Sequence, residues 1–507
     1  MRNPETMAVS QGILCADIGT SSLKAALIDL EGRVLGFVRE SYPADRFAQG
    51  RIHTSDWENA LLRGTRRLLG SGSGAKPLGI CISGNGPTLV PVGFDGTPFP
   101  PLHWYDRKVI PIDLNASPES GRRETLAVLA DLPKTKSFFL PHVRWFLQHR
   151  PQEYEKTRCF FSAQEWLSFR LGAEPVTVLP SEAYIPYYWT EDQCAALGLE
   201  GEKFLPFVKL GTLIGRVSSE AAVQYNLPEG IPIAAGGPDF IMALLGVGAI
   251  SPGLVCDRAG TSEGLNVCSA VPIKSRELRV LPHLEPGFWN IGGVISSSGR
   301  LFEWYRSLTG QESRSYEETL EELISPDGTG PADKALFFPQ AGFHTQSCPD
   351  MLFSGGAVGN APVSRQGFGR GLLEALGFMT RNVLDALERA GFQITEMRVS
   401  GGQGRNSRWN QLKADITGCV LLIPEIRDGE LAGNAAAAAL ALREISTLSQ
   451  GVSRMIRMNR RYVPDRKKHA MYTDAYRRYC EVRDRLEPGI LRSFRGEKNF
   501  HEDIYNS

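Results

Sequence analysis

The chain has 507 residues, which is enough for two or three domains with a large buried core and a cleft between them. It carries 56 Lys and Arg against 56 Asp and Glu, so its formal net charge at pH 7 is +0. A neutral chain has no overall electrostatic reason to bind nucleic acid or an anionic membrane, and we expect a small-molecule partner. With 42% hydrophobic and 22% charged residues, the composition is that of a globular protein and excludes a disordered one.

Nine scattered cysteines, none of them in a Cys-x-x-Cys pair, argue against a disulfide framework or a zinc site and indicate a reducing compartment. The first eleven residues lack the apolar segment of a signal peptide. The longest apolar segments are shorter than the roughly 20 residues of a membrane span. We therefore expect a cytoplasmic protein with no membrane partner.

The N-terminal part of the chain predicts a strand, a polar turn at 19–22, and two further strands separated by Glu31-Gly32. Short apolar segments punctuated by glycine at hairpin spacing favour this interpretation over a helix. Further elements follow in order: a strand over 77–83, a hairpin arm over 89–92, and helices over 164–171 and 220–225.

A second series of similar segments begins past the middle of the chain. A strand over 231–235 leads through Gly236-Gly237-Pro238-Asp239 into an apolar helix over 240–247. Then a strand, the turn Gly260-Thr261-Ser262 and another strand repeat the order seen around Gly19-Thr20-Ser21. The shared context indicates an internal duplication.

The C-terminal part predicts a long amphipathic helix over 364–390 that ends at Gly391, and a strand over 397–400. An Ala-rich helix over 430–443 contains Gly433, which allows close approach of a neighbouring helix. The segment 454–485 mixes basic residues with tyrosines, so nucleic-acid binding is an alternative. Tyr472, Tyr476 and Tyr479 recur at helical spacing among acidic residues, which favours a helix packed on the body of the protein.

Two motifs carry candidate chemistry at strand ends. Asp17 is followed by a turn rich in N–H and O–H donors, which can bind phosphate oxygens while the carboxylate holds a metal ion or its waters. The spacing is not that of a Walker A loop, and an ordinary hairpin turn is the alternative. Residues 260–264 match the Gly-x-Ser-x-Gly elbow of serine hydrolases, which would make Ser262 a nucleophile, but an apolar strand-like segment follows where that elbow needs a helix.

Asp239 precedes an apolar helix, so it is either a helix cap or a displayed general base. The segment 399–406 approaches the dinucleotide fingerprint but has Ser407 in place of the third glycine, which argues against a Rossmann site. Paired glycines after a strand can instead present a flat backbone surface to a planar base.

In this order, the segments resemble the FGGY family of carbohydrate kinases, and its xylulokinase-like group in particular, from about Gly12 to about Glu487. The segment from Asp17 to Lys24 resembles the first phosphate motif of that family, residues 260–262 the second, and Gly237-Pro238-Asp239 the segment with the catalytic aspartate. The family's C-terminal signature is matched in spacing at Gly401-Gly402, Asn406, Gln411, Ala414-Asp415, Gly418, Val420 and Pro424.

The resemblance implies an α/β protein with two ribonuclease-H-like (actin-like ATPase) domains flanking a central cleft. A sugar-binding domain would span 1–252, an ATP-binding domain 253–490, and a tail 491–507. Asp239 would take the proton from the attacking sugar hydroxyl, and both Asp17 and Asp239 would serve Mg²⁺, Asp17 through water. The ATP ligands would be Gly19, Thr20, Ser21, Ser22, Lys24, Gly260, Thr261 and Ser262 at the phosphates, and Gly401, Gly402 and Asn406 at the adenine.

The segments on the sugar side depart from the family's pattern. Residues 83–87 read Ser-Gly-Asn-Gly-Pro where Ser-Gly-Gln-x-His is common, Phe240 replaces an Asn, and His142 replaces a Lys. The candidate sugar contacts are Asn85, Trp104, Asp106 and Asp239, because a carboxylate accepts hydroxyl hydrogen bonds and a ring face covers C–H surface.

The sequence therefore predicts ATP-dependent phosphorylation of a sugar hydroxyl, with a ketopentose such as xylulose as the first candidate. Kinases for ribulose, gluconate or glycerol are alternatives. A nucleotide-binding regulatory protein without efficient turnover is another, which the retention of both Asp17 and Asp239 disfavours, and a serine hydrolase is a third. Family members are often dimers, so a homodimer is also open.

Overall fold

The computed structural model describes most of the chain: residues 11–48, 50–70, 76–104, 135–260, 262–275, 277–295, 298–324, 335–339, 357–359 and 364–494. Two candidate site residues, Asp106 and Thr261, lie outside the described residues. In the described helices we find none that is both long enough and apolar enough to cross a membrane.

The strands are β1 Gln11–Ile18, β2 Ser22–Ile28, β3 Val34–Ser41, β4 Lys76–Gly84, β5 Leu89–Gly93, β6 Thr157–Ser162, β7 Thr177–Leu179, β8 Phe207–Lys209, β9 Leu213–Arg216, β10 Pro232–Ala234, β11 Val255–Ala259, β12 Glu263–Ser269, β13 Arg279–Pro282, β14 Trp289–Ile295, β15 Ala335–Phe337, β16 Ala357–Gly359, β17 Glu396–Ser400, β18 Val420–Pro424 and β19 Met458–Tyr462.

The α-helices are α1 Ala44–Ala48, α2 Thr54–Gly70, α3 Leu140–His149, α4 Pro151–Lys156, α5 Ala163–Leu171, α6 Ile185–Tyr188, α7 Glu191–Ala196, α8 Ser219–Tyr225, α9 Asp239–Gly246, α10 Ser298–Leu308, α11 Tyr316–Leu323, α12 Arg365–Arg389, α13 Ser407–Thr417, α14 Gly429–Ala441, α15 Leu448–Met455 and α16 Arg466–Phe494. Short 3₁₀ turns cover Glu182–Tyr184, Gly201–Lys203 and Gly402–Arg405.

Two large mixed sheets dominate the fold. The first has the strand order β3-β2-β1-β4-β10-β9, in which β1 and β2 are antiparallel and β1, β4 and β10 are parallel. Strand β1 is buried on both faces from residue 12 onward, because its sequence is a nearly continuous apolar run. Its register pairs the Cα of Asp17 with Lys24 on one side and with Ser83 on the other.

The second sheet repeats this topology. Its order is β13-β14-β12-β11-β17-β18-β19, so the five strands β14-β12-β11-β17-β18 correspond to β3-β2-β1-β4-β10. In the first sheet β1, β2 and β3 are antiparallel neighbours, and β4 and β10 run parallel to β1. In the second sheet β11, β12 and β14 are antiparallel neighbours, and β17 and β18 run parallel to β11. The predicted internal duplication is confirmed, and the two Gly-Thr-Ser turns occupy the same position in the two repeats.

Helices α9 and α14 cross each other closely. A Cβ atom on Gly433 would lie 2.2 Å from the carbonyl oxygen of Met242, so only a glycine fits at that crossing. The predicted close approach at Gly433 is confirmed. Although α14 comes late in the chain, its alanines at 432 and 435–439 are buried and pack with strands β1 and β4 in the first core. The first core therefore contains residues from both sides of the boundary expected near Pro252, and that boundary stays a prediction.

The C-terminal segment differs in part from expectation. Instead of one helix over 454–485, the chain forms the end of α15, then the edge strand β19, then α16. Pairing with β18 explains the strand, because β18 would otherwise be an exposed edge. The predicted tyrosine stripe is confirmed, since Tyr472, Tyr476 and Tyr479 are all buried. Residues 491–494, expected as tail, continue α16.

Candidate active site

Asp17 lies at the end of β1 and is only 3% exposed. The Ser83 hydroxyl donates to its Oδ1 at 2.8 Å, and the Lys24 ammonium is 3.8 Å from its Oδ2. Burial raises the pKa of Asp17, and Lys24 opposes that increase. The register of β1 with its two neighbouring strands thus produces a buried carboxylate with one hydroxyl and one cation beside it.

A residue from the other end of the chain fixes this arrangement. Asn434, within α14, donates through Nδ2 to the carbonyl oxygen of Ala16 at 2.8 Å and to Ser83 Oγ at 3.0 Å. The side chain is fully buried. Neither Asn434 nor Ser83 was predicted as a site residue; the available signal in the sequence was a single amide inside an otherwise alanine-rich helix.

Lys24 takes part in an ion-pair network that spans both repeats. Its Nζ lies 3.0 Å from Oδ1 of Asp428, the residue that precedes α14, and Arg405 donates to Oδ2 of the same carboxylate at 2.7 Å. Burial alone would lower the pKa of Lys24, but Glu430, Asp428 and Asp17 raise it overall. Burial raises the pKa of Asp428, but Lys24 and Arg405 bring it below its usual range. A phosphate bound by Lys24 would therefore share this cation with Asp428.

The first polar turn, residues 19–22, joins β1 to β2. The Gly19 amide donates to the Ser22 carbonyl oxygen at 3.0 Å, and a Cβ at Gly19 would lie 2.9 Å from that same oxygen. Thr20 and Ser21 are partly exposed, whereas the Ser22 hydroxyl is buried and accepts a hydrogen bond from Arg39. The turn is therefore a tight hairpin that leaves two hydroxyl-bearing residues accessible.

The second polar turn has the same construction. The Gly260 amide donates to the Ser262 carbonyl oxygen at 2.9 Å, and β11 and β12 pair antiparallel on either side. Since a strand and not a helix follows Ser262, the nucleophile-elbow interpretation, and with it the serine hydrolase, is wrong. Gln403 donates to the Gly260 carbonyl oxygen at 3.4 Å and to Ser298 Oγ at 3.0 Å, which ties this turn to the glycine-rich segment after β17.

The paired glycines after β17 have different constraints. Gly401 has φ +99°, and a Cβ there would lie 2.6 Å from the Ala259 carbonyl oxygen, so no other residue fits without strain. Gly402 opens the 3₁₀ turn, and a Cβ there would meet no described atom within 4 Å. Asn406 Oδ1 accepts from the Trp409 amide at 2.9 Å and so caps α13. Gly402 thus provides open backbone surface, and Asn406 holds the neighbouring helix in place.

Asp239 is the first residue of α9 and is partly accessible, with 21% of its side chain exposed. Its Oδ1 accepts from the Phe240 amide at 2.7 Å, and its Oδ2 accepts from Arg258 Nη1 at 3.1 Å. The N-cap position itself is Pro238, so the carboxylate is not a conventional cap. Arg258 was not predicted as a site residue, although the sequence shows a basic residue two positions before Gly260.

The candidate sugar side lies next to Asp239. A parallel bridge between Gly84 and Pro238 brings the end of β4 to the start of α9, and so places Asn85 beside the segment that carries Asp239. Asn85 is buried, and its Oδ1 accepts from Thr88 Oγ1 at 3.1 Å. Trp104 is partly buried at the end of the described segment 76–104.

The charges around the two turns suit a hydrated divalent cation. In the described part of the chain, no group of three or more His, Cys, Asp or Glu residues is arranged to hold a metal ion directly. Mg²⁺ typically keeps several waters and binds one or two carboxylates together with substrate phosphates, which is the donor set that Asp17 and Asp239 offer. Four carboxylates and three cations interact in this region: Asp17, Asp239, Asp428, Glu430, Lys24, Arg258 and Arg405.

Comparison with known proteins places these features in a family. The N-terminal domain model of the FGGY family of carbohydrate kinases matches residues 12–246, and the C-terminal domain model matches 258–442. A xylulose kinase of Staphylococcus epidermidis is 25% identical over 93% of this chain and 96% of its own length. An autoinducer-2 kinase of Escherichia coli is 25% identical over 91% of this chain and 92% of its own. The crystal structure of a xylulose kinase from Rhodospirillum rubrum superposes with a TM-score of 0.74 at 22% identity, covering 94% of this chain and 99% of that one.

Proposed function

The chain belongs to the FGGY family of carbohydrate kinases, and we propose that it transfers the γ-phosphoryl group of ATP to a hydroxyl of a small ketose, with a ketopentose such as xylulose as the first candidate. The observation that carries this proposal is the pair of equivalent polar turns, one at the end of β1 beside the buried Asp17 and one at the end of β11, close to the accessible Asp239.

In the proposed reaction Asp239 accepts the proton of the attacking hydroxyl. The sugar oxygen forms a bond to the γ-phosphorus, the bond between that phosphorus and the β,γ-bridging oxygen breaks, and ADP leaves with the electron pair. A positioned base of this kind contributes about 10²–10⁴-fold to the rate. The carboxylate is suitable because it is partly accessible and its orientation is fixed by two hydrogen bonds.

Phosphate binding would come from the hydroxyl and amide groups of the two turns, including Thr20, Ser21 and Ser262, together with Lys24. Mg²⁺, held by Asp17 through water and next to Asp239, would neutralise charge on the transferring phosphoryl group. Catalysis of this type depends on positioning and electrostatic stabilisation more than on covalent chemistry. The open backbone at Gly402 would face the adenine, and Asn406 would keep α13 in place behind it.

The sugar would bind on the N-terminal side, where Asn85 adjoins the segment that carries Asp239. A ketopentose is the first candidate because xylulose kinases are among the relatives that match nearly the whole chain. Since an autoinducer-2 kinase matches at the same identity, other small ketoses and polyols remain in the test set. We further propose that the protein is cytoplasmic and divides into its two domains near Pro252.

A panel of pentuloses, hexuloses, polyols and gluconate, assayed for sugar-stimulated ADP release with Mg²⁺ and ATP, tests the proposal. We expect one ketose to stimulate ADP release and Asp239→Asn to abolish the stimulation while ATP binding persists. Asp192→Asn is the matched control, because Asp192 also lies in the first turn of a helix, α7, which packs against the 3₁₀ turn Gly201–Lys203. ATP binding without stimulation by any member of the panel would contradict the proposal and favour a nucleotide-binding regulatory protein.

A further inference from the structure

Arg258 stands between the proposed base and the second phosphate turn. It belongs to β11, where its Cα pairs with Gly264 on β12 and with Ser400 on β17, and the turn begins two residues later at Gly260. Both neighbouring strands fix its backbone, and 27% of its side chain is exposed. Its guanidinium can therefore be reached by a ligand that enters from the accessible side of Asp239.

The ion pair of Arg258 with Asp239 connects the two halves of the chain. Asp239 lies in the segment matched by the N-terminal family domain, and Arg258 is the first residue matched by the C-terminal one. The contact measures 3.1 Å from Nη1 to Oδ2. The orientation of the proposed base thus depends on a residue of the half that carries the second phosphate turn.

We propose, on the premise of the kinase function given above, that Arg258 is a catalytic residue that binds the transferring γ-phosphoryl group and, through the same guanidinium, orients Asp239. As the sugar oxygen bonds to the γ-phosphorus, its proton passes to Asp239 and ADP departs with the electron pair of the broken bond. Arg258 donates hydrogen bonds to the phosphoryl oxygens throughout and exchanges no proton.

The distances support this assignment. A hydroxyl that gives its proton to Asp239 lies about 2.6–3.2 Å from the carboxylate, and a phosphorus poised for attack lies about 3–3.5 Å beyond that hydroxyl. Because the guanidinium is 3.1 Å from the same carboxylate, a hydroxyl that approaches Asp239 on the side of Arg258 brings the oxygens on that phosphorus within reach of the guanidinium. Arginine has five N–H donors in a planar fork, so it can donate to a carboxylate and to a phosphoryl group together.

Lys24 is less suited to the same task. It is already 3.0 Å from Asp428 and 3.8 Å from Asp17, so its charge is largely matched by carboxylates before any phosphate arrives. Arg258 also has the advantage of position, because its strand leads directly into the turn that would hold the phosphates. We therefore assign Lys24 to the first phosphate turn and Arg258 to the group in transfer.

The first test compares steady-state kinetics of the wild type with Arg258→Ala and Arg258→Lys. We expect kcat of the alanine variant to fall by about 10²–10³-fold with a smaller change in the KM for sugar, and the lysine variant to recover part of the loss. Added guanidinium ion should partly restore the alanine variant. The control is Arg398→Ala, because Arg398 on the adjacent β17 also donates across to the Val247 and Gly248 carbonyl oxygens, and these contacts involve no phosphate turn.

The second test does not require turnover. The affinities of the wild type and Arg258→Ala for ADP and for a non-hydrolysable ATP analogue, each with Mg²⁺, are measured by calorimetry. We expect the variant to lose about 10- to 100-fold in affinity for the analogue, which carries a γ-phosphate, and to keep its affinity for ADP.

If Arg258→Ala binds both ADP and the ATP analogue as tightly as the wild type does, the assignment is overturned, whether or not the protein phosphorylates a sugar. A wild type that binds both nucleotides but releases no ADP with any sugar would instead refute the proposed kinase function. An active wild type with an equally active Arg258→Ala variant would refute the role of Arg258 alone.

Discussion

A single methyl group added at Gly246 is predicted to separate the two helices on which the site is built. Gly246 is the last residue of α9, whose first residue is Asp239, and it faces the start of α14. A Cβ at Gly246 would lie 1.7 Å from the carbonyl oxygen of Gly429, and ordinary contact begins at 3.4 Å. The obstacle is backbone on the facing helix, so no side-chain rotation can relieve it.

The helices would have to move apart by more than 1 Å to accept Gly246→Ala, since the contact falls about 1.7 Å short of an ordinary one. Overpacking of this kind costs about 3 kcal/mol of folding free energy. The same movement shifts Asp239 relative to Asp428, which precedes α14, and to Glu430 within α14. A displacement of about 1 Å in a catalytic geometry lowers the rate by about 10²-fold.

Thermal unfolding and sugar-stimulated ADP release measure the two effects on the same preparations. We expect Gly246→Ala to unfold at a clearly lower temperature and, where it folds, to show reduced kcat. Gly70→Ala is the matched control, because Gly70 ends a helix and its added methyl group would meet no described atom within 4 Å. A Gly246→Ala protein with the stability and kcat of the wild type would refute the close crossing of α9 and α14.

Substitutions at three further positions test the electrostatics. Asp428→Asn removes the partner 3.0 Å from Lys24, and we expect the free energy of unfolding, measured by denaturation, to fall by about 3 kcal/mol. An unchanged free energy of unfolding would contradict the network. Lys413→Met leaves the buried carboxyl group of Asp257 without its cation, so the free energy of unfolding, measured by denaturation, should fall by about 3 kcal/mol. A variant as stable as the wild type would argue against that pairing. Burial lowers the pKa of His142 from 6.5 to about 4, so the unfolded state binds the proton first as the pH falls. The free energy of unfolding of the wild type should therefore fall by up to about 3 kcal/mol between pH 6.5 and 4. His142→Leu and His142→Gln should remove this acid sensitivity, and a pH profile of stability that matches the wild type would refute it.

The local parts of the site were predictable from sequence. The strand, turn and strand around Gly19 and those around Gly260 are hairpins whose residues are neighbours along the chain, so apolar runs and glycine spacing suffice to place them. Asp239 at the head of an apolar helix was visible for the same reason. The duplicated topology followed from the recurrence of these local patterns.

The partners of these residues could not be predicted in the same way. Asn434 reaches Ser83 across 351 positions of the chain, and Asp428 reaches Lys24 only because α14 packs against the first sheet. Such contacts depend on sheet register and on helix packing across the repeats, which no local window of sequence contains. Strand β19 was missed for a related reason, since pairing with β18 overrides the helical composition of its surroundings.

The most direct test of the central claim is analysis of the products formed with Mg²⁺, ATP and the ketose that stimulates ADP release. We predict a sugar monophosphate and ADP in equal amounts by mass spectrometry and phosphorus NMR for the wild type, and neither product above background for Asp239→Asn. Release of inorganic phosphate in place of a sugar phosphate, or equal amounts of sugar phosphate from the wild type and Asp239→Asn, would contradict the account.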